Sequence, residues 1–192
     1  MINSFVVRPM REDEYHLLED FLYEAIFIPE GVEAPPREII SQPELQVYIN
    51  DFGKSAHDIC FVAEVKGKVV GAVWTRIMKD YGHIDDETPS FAISLYKEYR
   101  ANGIGTQLMR VMLCHLKTRG YKKASLAVQK ANYAVRIYKK VGFEIADEND
   151  EEYIMLCPVA ELSLEFLHLA PVVETVHIVH EKQQEADDHR QV

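Results

Sequence analysis

Residues 99–105 read YRANGIG, between an apolar alternating run at 90–96 (SFAISLY) and a long amphipathic run from Gly105. The alternation predicts a strand over 90–96. The amphipathic run sets Leu108, Met109, Met112, Leu113 and Leu116 on one broad face, which predicts a helix over 105–118 stopped by Gly120. A strand that enters a helix through a glycine-rich turn leaves the first N–H groups of that helix unpaired, and they carry the positive end of the helix dipole. Phosphate groups bind at such ends. Gly103 and Gly105 have no Cβ, so a pyrophosphate can approach the backbone. Arg100 adds charge or braces the loop. The turn reads as an anion cradle.

Composition sets the bounds. A length of 192 residues, 47% of them hydrophobic, fits one domain, or one domain and an appendage. Cys60, Cys114 and Cys157 are far apart and odd in number, which is neither a disulfide framework nor a metal spacing. The start, MINSFVVRPMRED, lacks a basic segment followed by a long apolar stretch, and no run approaches the roughly 18 apolar residues of a membrane span. A cytoplasmic protein with no membrane partner is expected. A net charge of −10 argues against a nucleic-acid partner. The charge is uneven, however. Lys97, Arg100, Arg110, Lys117, Arg119, Lys122, Lys123, Lys130, Arg136, Lys139 and Lys140 fall in one stretch with the single acid Glu98. That stretch reads either as a basic face balancing acids elsewhere or as a site for a small polyanion.

Pattern also assigns the rest of the chain. Strands are expected at 4–9, at 59–65 and 69–78 (a hairpin turning at Gly67), at 123–128, and at 143–146 and 153–157 around the acidic turn 147–152. Helices are expected at 11–27, at 38–52 and at 132–141, the last ended by Gly142. Residues 80–89 form an acidic loop. The order β-α-α-β-β-β-α-β-α-β-β predicts an α/β (α+β) class: a mixed, mostly antiparallel central sheet flanked by helices. The core domain is expected to be complete at 1–157, with 158–192 as a C-terminal extension. Residues 159–179 are apolar enough to cover a sheet edge or to pair with a second subunit as a homodimer. Residues 181–192 are polar and expected to be disordered. His177 and His180 have no partner cluster, so no metal site is expected.

Three phosphate-binding patterns compete at 99–105. A Walker A loop needs Lys-Ser/Thr after its second glycine, where Thr106-Gln107 stands. A dinucleotide fingerprint needs a third glycine or alanine where Leu108 stands. Arg/Gln-x-x-Gly-x-Gly/Ala is matched by Arg100-Ala101-Asn102-Gly103-Ile104-Gly105. In that company, SFAISLYKEYRANGIG (90–105) resembles the fourth strand and pyrophosphate loop of the GNAT family of N-acetyltransferases. SLAVQKANYAVRIYKKVGFEI (125–145) resembles that family's fifth strand, the helix after it and its Tyr-x-x-x-Gly-Phe ending, here Tyr138 to Gly142-Phe143. The order of elements fits the family from residue 4 to 157.

The resemblance implies the GNAT fold and an acetyltransferase that uses acetyl-CoA as co-substrate and needs no metal. It implies that the fourth strand splays from the fifth and that the pantetheine arm pairs with backbone near Ile93 to Leu95. It implies that the N–H groups of Ala101, Asn102, Gly103, Ile104, Gly105 and Thr106 hold the pyrophosphate. Asn132 is implied to touch the pantetheine or acetyl end. Its step of six to Tyr138 is one shorter than in many members, and Asn132 also reads as a helix N-cap. Tyr138 is implied as the general acid that protonates the leaving thiolate; its other reading is a core tyrosine. The acceptor is a small amine or a protein amine, and Asp85, Asp86 and Glu87 in the acidic loop are candidates to bind it, or simply a solvated loop. A non-catalytic acyl-CoA-binding or partner-binding module on the same fold is the alternative.

Overall fold

The structure is a computed structural model that describes residues 4–163. β2 (Ile59–Val65) and β3 (Lys68–Arg76) pair antiparallel with Val65 opposite Lys68. The turn is therefore Lys66-Gly67, with φ of 51° and 80°, the backbone sense that matches the twist of hairpin strands. β1 (Val6–Pro9) pairs outside β2 and β4 (Ser90–Leu95) outside β3, both antiparallel. On the other side, β5 (Ala124–Gln129) pairs antiparallel with β7 (Glu152–Cys157), and β6 (Glu144–Glu148) forms the edge beyond β7. The sheet has seven strands in the order β1-β2-β3-β4-β5-β7-β6. Its halves meet where β4 and β5 run parallel, at the single rung Ser90–Ser125.

Helices cover both faces. α1 (Leu18–Ala25) buries Leu18, Phe21 and Leu22 with Trp74 and Val62 of the hairpin. α3 (Ile104–Thr118) buries Leu108, Met109, Met112, Leu113 and Leu116 on the opposite face, against Phe91, Leu126, Phe143 and Met155. Each such side chain contributes roughly 1.5–3 kcal/mol on burial. α4 (Ala134–Lys140) packs Val135 and Tyr138 against the same core. The chain stays packed past β7: Val159 is fully buried, and Ala160 N–H donates to the Lys122 carbonyl at 3.1 Å.

Two expected helices change. The segment 11–27 opens with a 3-10 turn, Glu12–Leu17, and its α-helix stops at Ala25, where Ile26 turns extended (ψ 120°). The segment 38–52 is a 3-10 turn (Arg37–Ser41), a one-turn α2 (Pro43–Gln46) and further turns. Pro43 has no N–H to continue a helix and instead starts one. The carbonyls beyond it are taken from the side by β3: Arg76 Nη1 donates to Val47 (3.1 Å) and Asn50 (2.8 Å), and Trp74 Nε1 to Tyr48 (3.1 Å). The expectations for residues 164–192, including those for His177 and His180, lie outside the described residues. Among those described, no helix is long and apolar enough to cross a membrane.

Candidate active site

With one rung between them, β4 and β5 leave backbone unpaired beyond Ser90 and Ser125, and two cavities meet at this gap. The first, about 510 Å³, is lined by Ile93, Leu95, Arg100, Gly105 and the end of α1. The second, about 590 Å³, is lined by Tyr48, Tyr81, Val128, Gln129 and Glu152. Ile93, Asn132 and Tyr138 line both.

Arg100 and Gly105 of the glycine turn line the first cavity, and Ala101, Asn102, Gly103, Ile104 and Thr106 lie beside it without lining it. Gly103 has φ 81°, a left-handed conformation that favours glycine, and its carbonyl accepts the Gln107 N–H at 3.1 Å as α3 begins. Ala101 also has positive φ, 59°. Among the described residues, the N–H groups of 101–106 have no backbone partner, as a helix start requires. Nothing lies within 4 Å of where a Gly103 Cβ would stand, so the turn has open space in front of it. The Ile104 side chain is buried beneath α3. Asn102 Nδ2 closes the loop on the Arg100 carbonyl at 2.9 Å. Arg100 is a brace: Nε donates to the Leu95 carbonyl (2.9 Å) and Nη2 to Glu24 Oε2 (2.8 Å), tying the end of β4 to α1. An unpaired N–H row, an open approach and a basic neighbour in Lys97 suit a polyanionic group such as a pyrophosphate.

Tyr138 is held in place by the turn that ends α4. Gly142, at φ 103°, bends the chain so that Phe143 N–H bonds the Tyr138 carbonyl (3.0 Å) and the two rings pack at 6.2 Å. The Tyr138 ring is half-buried, and among the described residues its hydroxyl has no hydrogen-bond partner. Desolvation pushes its pKa well above 10, so it remains a proton donor through neutral pH. The N-cap of α4 is Tyr133 rather than the expected Asn132, which stands one residue earlier, accepts the Ala134 N–H at Oδ1 (2.9 Å) and lines both cavities.

The three candidate carboxylates of the acidic loop are not brought to the cavities. Asp85, Asp86 and Glu87 are exposed and line neither. Asp85 serves its own turn: hydrogen bonds from the Thr88 side chain and the Glu87 N–H hold its pKa below the usual range. Asp86 lies 3.8 Å from His83. The loop's other end does matter. Asp80 accepts the Tyr48 hydroxyl (2.9 Å) and the Ser90 hydroxyl (2.8 Å), and Gly82 packs so closely on β5 that a Cβ would stand 3.0 Å from Leu126 and Ala127 backbone atoms. Glu152 corrects an expectation. It belongs to the segment 147–152 expected as an acidic turn, yet it opens β7 and is half-buried in the wall of the second cavity, opposite Gln129 in the β5–β7 ladder. Tyr48, Tyr81 and Glu44 line the same wall. No local motif marks any of these residues; long-range pairing assembles them.

Residues 23–158 match the family model described as an acetyltransferase (GNAT) domain. The probable N-acetyltransferase camello of Xenopus tropicalis is 36% identical over 93 residues, 46% of this chain and 40% of that protein. A mycothiol acetyltransferase of Thermobispora bispora is 34% identical over 85 residues, 43% of this chain and 29% of that protein. The chain thus spans less than half the length of these relatives. Among solved structures, the PaiA N-acetyltransferase of Thermoplasma acidophilum in complex with coenzyme A superposes with a TM-score of 0.61 at 18% identity, covering 81% of this chain and 99% of that one. The ribosomal-protein-S18-alanine N-acetyltransferase of Escherichia coli gives 0.58 at 16%, covering 83% and 97%.

Proposed function

Because the chain belongs to the GNAT acetyltransferase family, we propose that it transfers the acetyl group of acetyl-CoA to an amine by direct attack of that amine on the thioester. The observation that carries this reading is the meeting of two cavities at Ile93, Asn132 and Tyr138 in the gap between β4 and β5. One cavity begins at an N–H cradle for anions and the other is a separate chamber, so two substrates can approach one point from two directions.

Acetyl-CoA supplies an activated carbonyl and a thiolate leaving group. In this reading the N–H groups of 101–106 hold its pyrophosphate, and the backbone edge at 93–95, where Arg100 holds the Leu95 carbonyl, pairs with its extended arm as an added strand would. Arg100 holds the β4 end and α1 in register around that arm. The ammonium first loses a proton to water; as the neutral amine forms the C–N bond and the C–S bond breaks, its nitrogen gives a second proton to water and Tyr138 gives its own to the departing sulfur, to be reprotonated from solvent. A thiol pKa near 8.5 makes a thiolate a modest leaving group, and a placed donor speeds its departure. Its unengaged hydroxyl, in a residue that lines both cavities, supports that role.

Calorimetric titration of acetyl-CoA and desulfo-CoA into the wild type and Tyr138→Phe, followed by thiol release with a panel of amines, tests the reading. Binding by both proteins with turnover confined to the wild type is expected. Failure of both ligands to bind the wild type overturns it.

A further inference from the structure

We propose that Glu152 receives the ammonium of the acceptor, and that the acceptors of the second cavity are cationic amines on an apolar or aromatic body with no acid group beside the amine. The inference rests on the acetyl-transfer reading of the same site.

The two cavities differ in charge. The first is lined by Lys97 and Arg100 with Glu24. The second has Glu44 and Glu152 in its wall and no lysine, arginine or histidine among its lining residues. Carboxylates near it are not equivalent. Glu24 is committed to Arg100, and Asp80 to Tyr48 and Ser90. Glu44 sits exposed on the one-turn α2. Glu152 is half-buried, and among the described residues its side chain has no hydrogen-bond or ion-pair partner.

The Glu152 backbone is held on both sides. Its N–H donates to Asn149 Oδ1 (2.7 Å), its carbonyl accepts the Asn149 N–H (3.0 Å), and it lies opposite Gln129 on β5. Its charge is felt at Tyr48, whose pKa it helps to raise behind the larger effects of burial and of Asp80. A half-buried, uncompensated carboxylate on a held backbone favours a cation in the space before it. The remaining lining suits an apolar body: Leu22, Ile26, Phe27, Ile39, Leu45 and Tyr81. A carboxylate next to the incoming amine would meet two like charges and no cation.

Three probes of one shape separate charge from size: phenethylamine, phenylalaninamide and phenylalanine. Each is titrated into the protein saturated with desulfo-CoA at about pH 6, below the α-amino pKa of roughly 7.7. The series is repeated on the protein alone, so the preference is read whichever way the cofactor titration falls. Phenethylamine and phenylalaninamide are expected to bind alike and phenylalanine at least about tenfold more weakly. Glu152→Gln weakens the two carboxylate-free amines about tenfold and brings amide and acid within about threefold of each other, Glu152→Asp restores part of the difference, and acetyl-CoA affinity stays the same. Equal binding of phenylalanine and its amide, an unaffected Glu152→Gln variant, or binding of none of the three amines overturns the inference while leaving acetyl transfer standing. Failure of desulfo-CoA to bind the wild type strikes the acetyl-transfer reading instead.

Discussion

Ser90 and Ser125 face each other across the one rung that joins β4 to β5, both fully buried, with their hydroxyl oxygens 3.5 Å apart. Ser90 donates to Asp80, and the other oxygen of Asp80 takes the Tyr48 hydroxyl. The root of the gap is thereby bonded to the wall of the second cavity. Asp80→Ala leaves both hydroxyls without that acceptor and is expected to cost about 1–3 kcal/mol in urea unfolding. It also raises the KM for the amine more than that for acetyl-CoA, because Tyr48 lines only the second cavity.

Tyr138→Phe lowers kcat by about 10²–10⁴ while acetyl-CoA affinity stays within about twofold. The pH profile carries a second test. Burial raises the Tyr138 pKa, so the protonated donor is lost only as pH rises through that raised value. The wild-type rate therefore shows no alkaline fall near 10, where an ordinary tyrosine would titrate.

Gly103→Ala imposes a left-handed backbone on a residue with a Cβ, at a cost of about 1–2 kcal/mol. Open space surrounds the position, so packing adds nothing to that cost. The expected result is a lowered melting temperature and acetyl-CoA binding weakened about tenfold, measured by calorimetry.

Glu14 gives the acid limb of stability. Its hydrogen bonds from Arg8, at 2.7 Å, lead the causes that bring its pKa from 4.5 down to about 2. A depressed carboxylate contributes stability that is complete above the unfolded pKa and is lost as pH falls through the folded one. The wild type is expected to exceed Glu14→Gln by about 2 kcal/mol above pH 5, and the difference to close as pH falls towards about 2. Urea unfolding across that range checks it.

The glycine turn, the hairpin at Gly67 and the α4 ending at Gly142 were legible because each is a local rule: a positive φ or a free N–H row marks its own residues. The segment 38–52 was not. Its spacing is helical, but its carbonyls are claimed by Arg76 and Trp74, about thirty residues away. The second cavity was illegible for the same reason. Glu152 reaches Tyr48 and Tyr81 only because β7 pairs with β5. The acidic loop advertised its charge at Asp85–Glu87, while its contribution to the cavity is made at Asp80, Tyr81 and Gly82, through one carboxylate, one ring and one missing side chain.

The lone rung at Ser90–Ser125 also has a mechanical meaning. Each half of the sheet is cross-linked by a ladder of backbone bonds and is stiff. Between the halves, α3 acts as a splint, gripping Phe91 on one side and Leu126 and Met155 on the other through side chains alone. Side-chain contacts tolerate sliding that a hydrogen-bonded ladder forbids. The compliance of the molecule is thus concentrated in one coordinate, the width of the β4–β5 slot, and an extended guest that supplies the missing rungs would lock that coordinate and turn two plates into one.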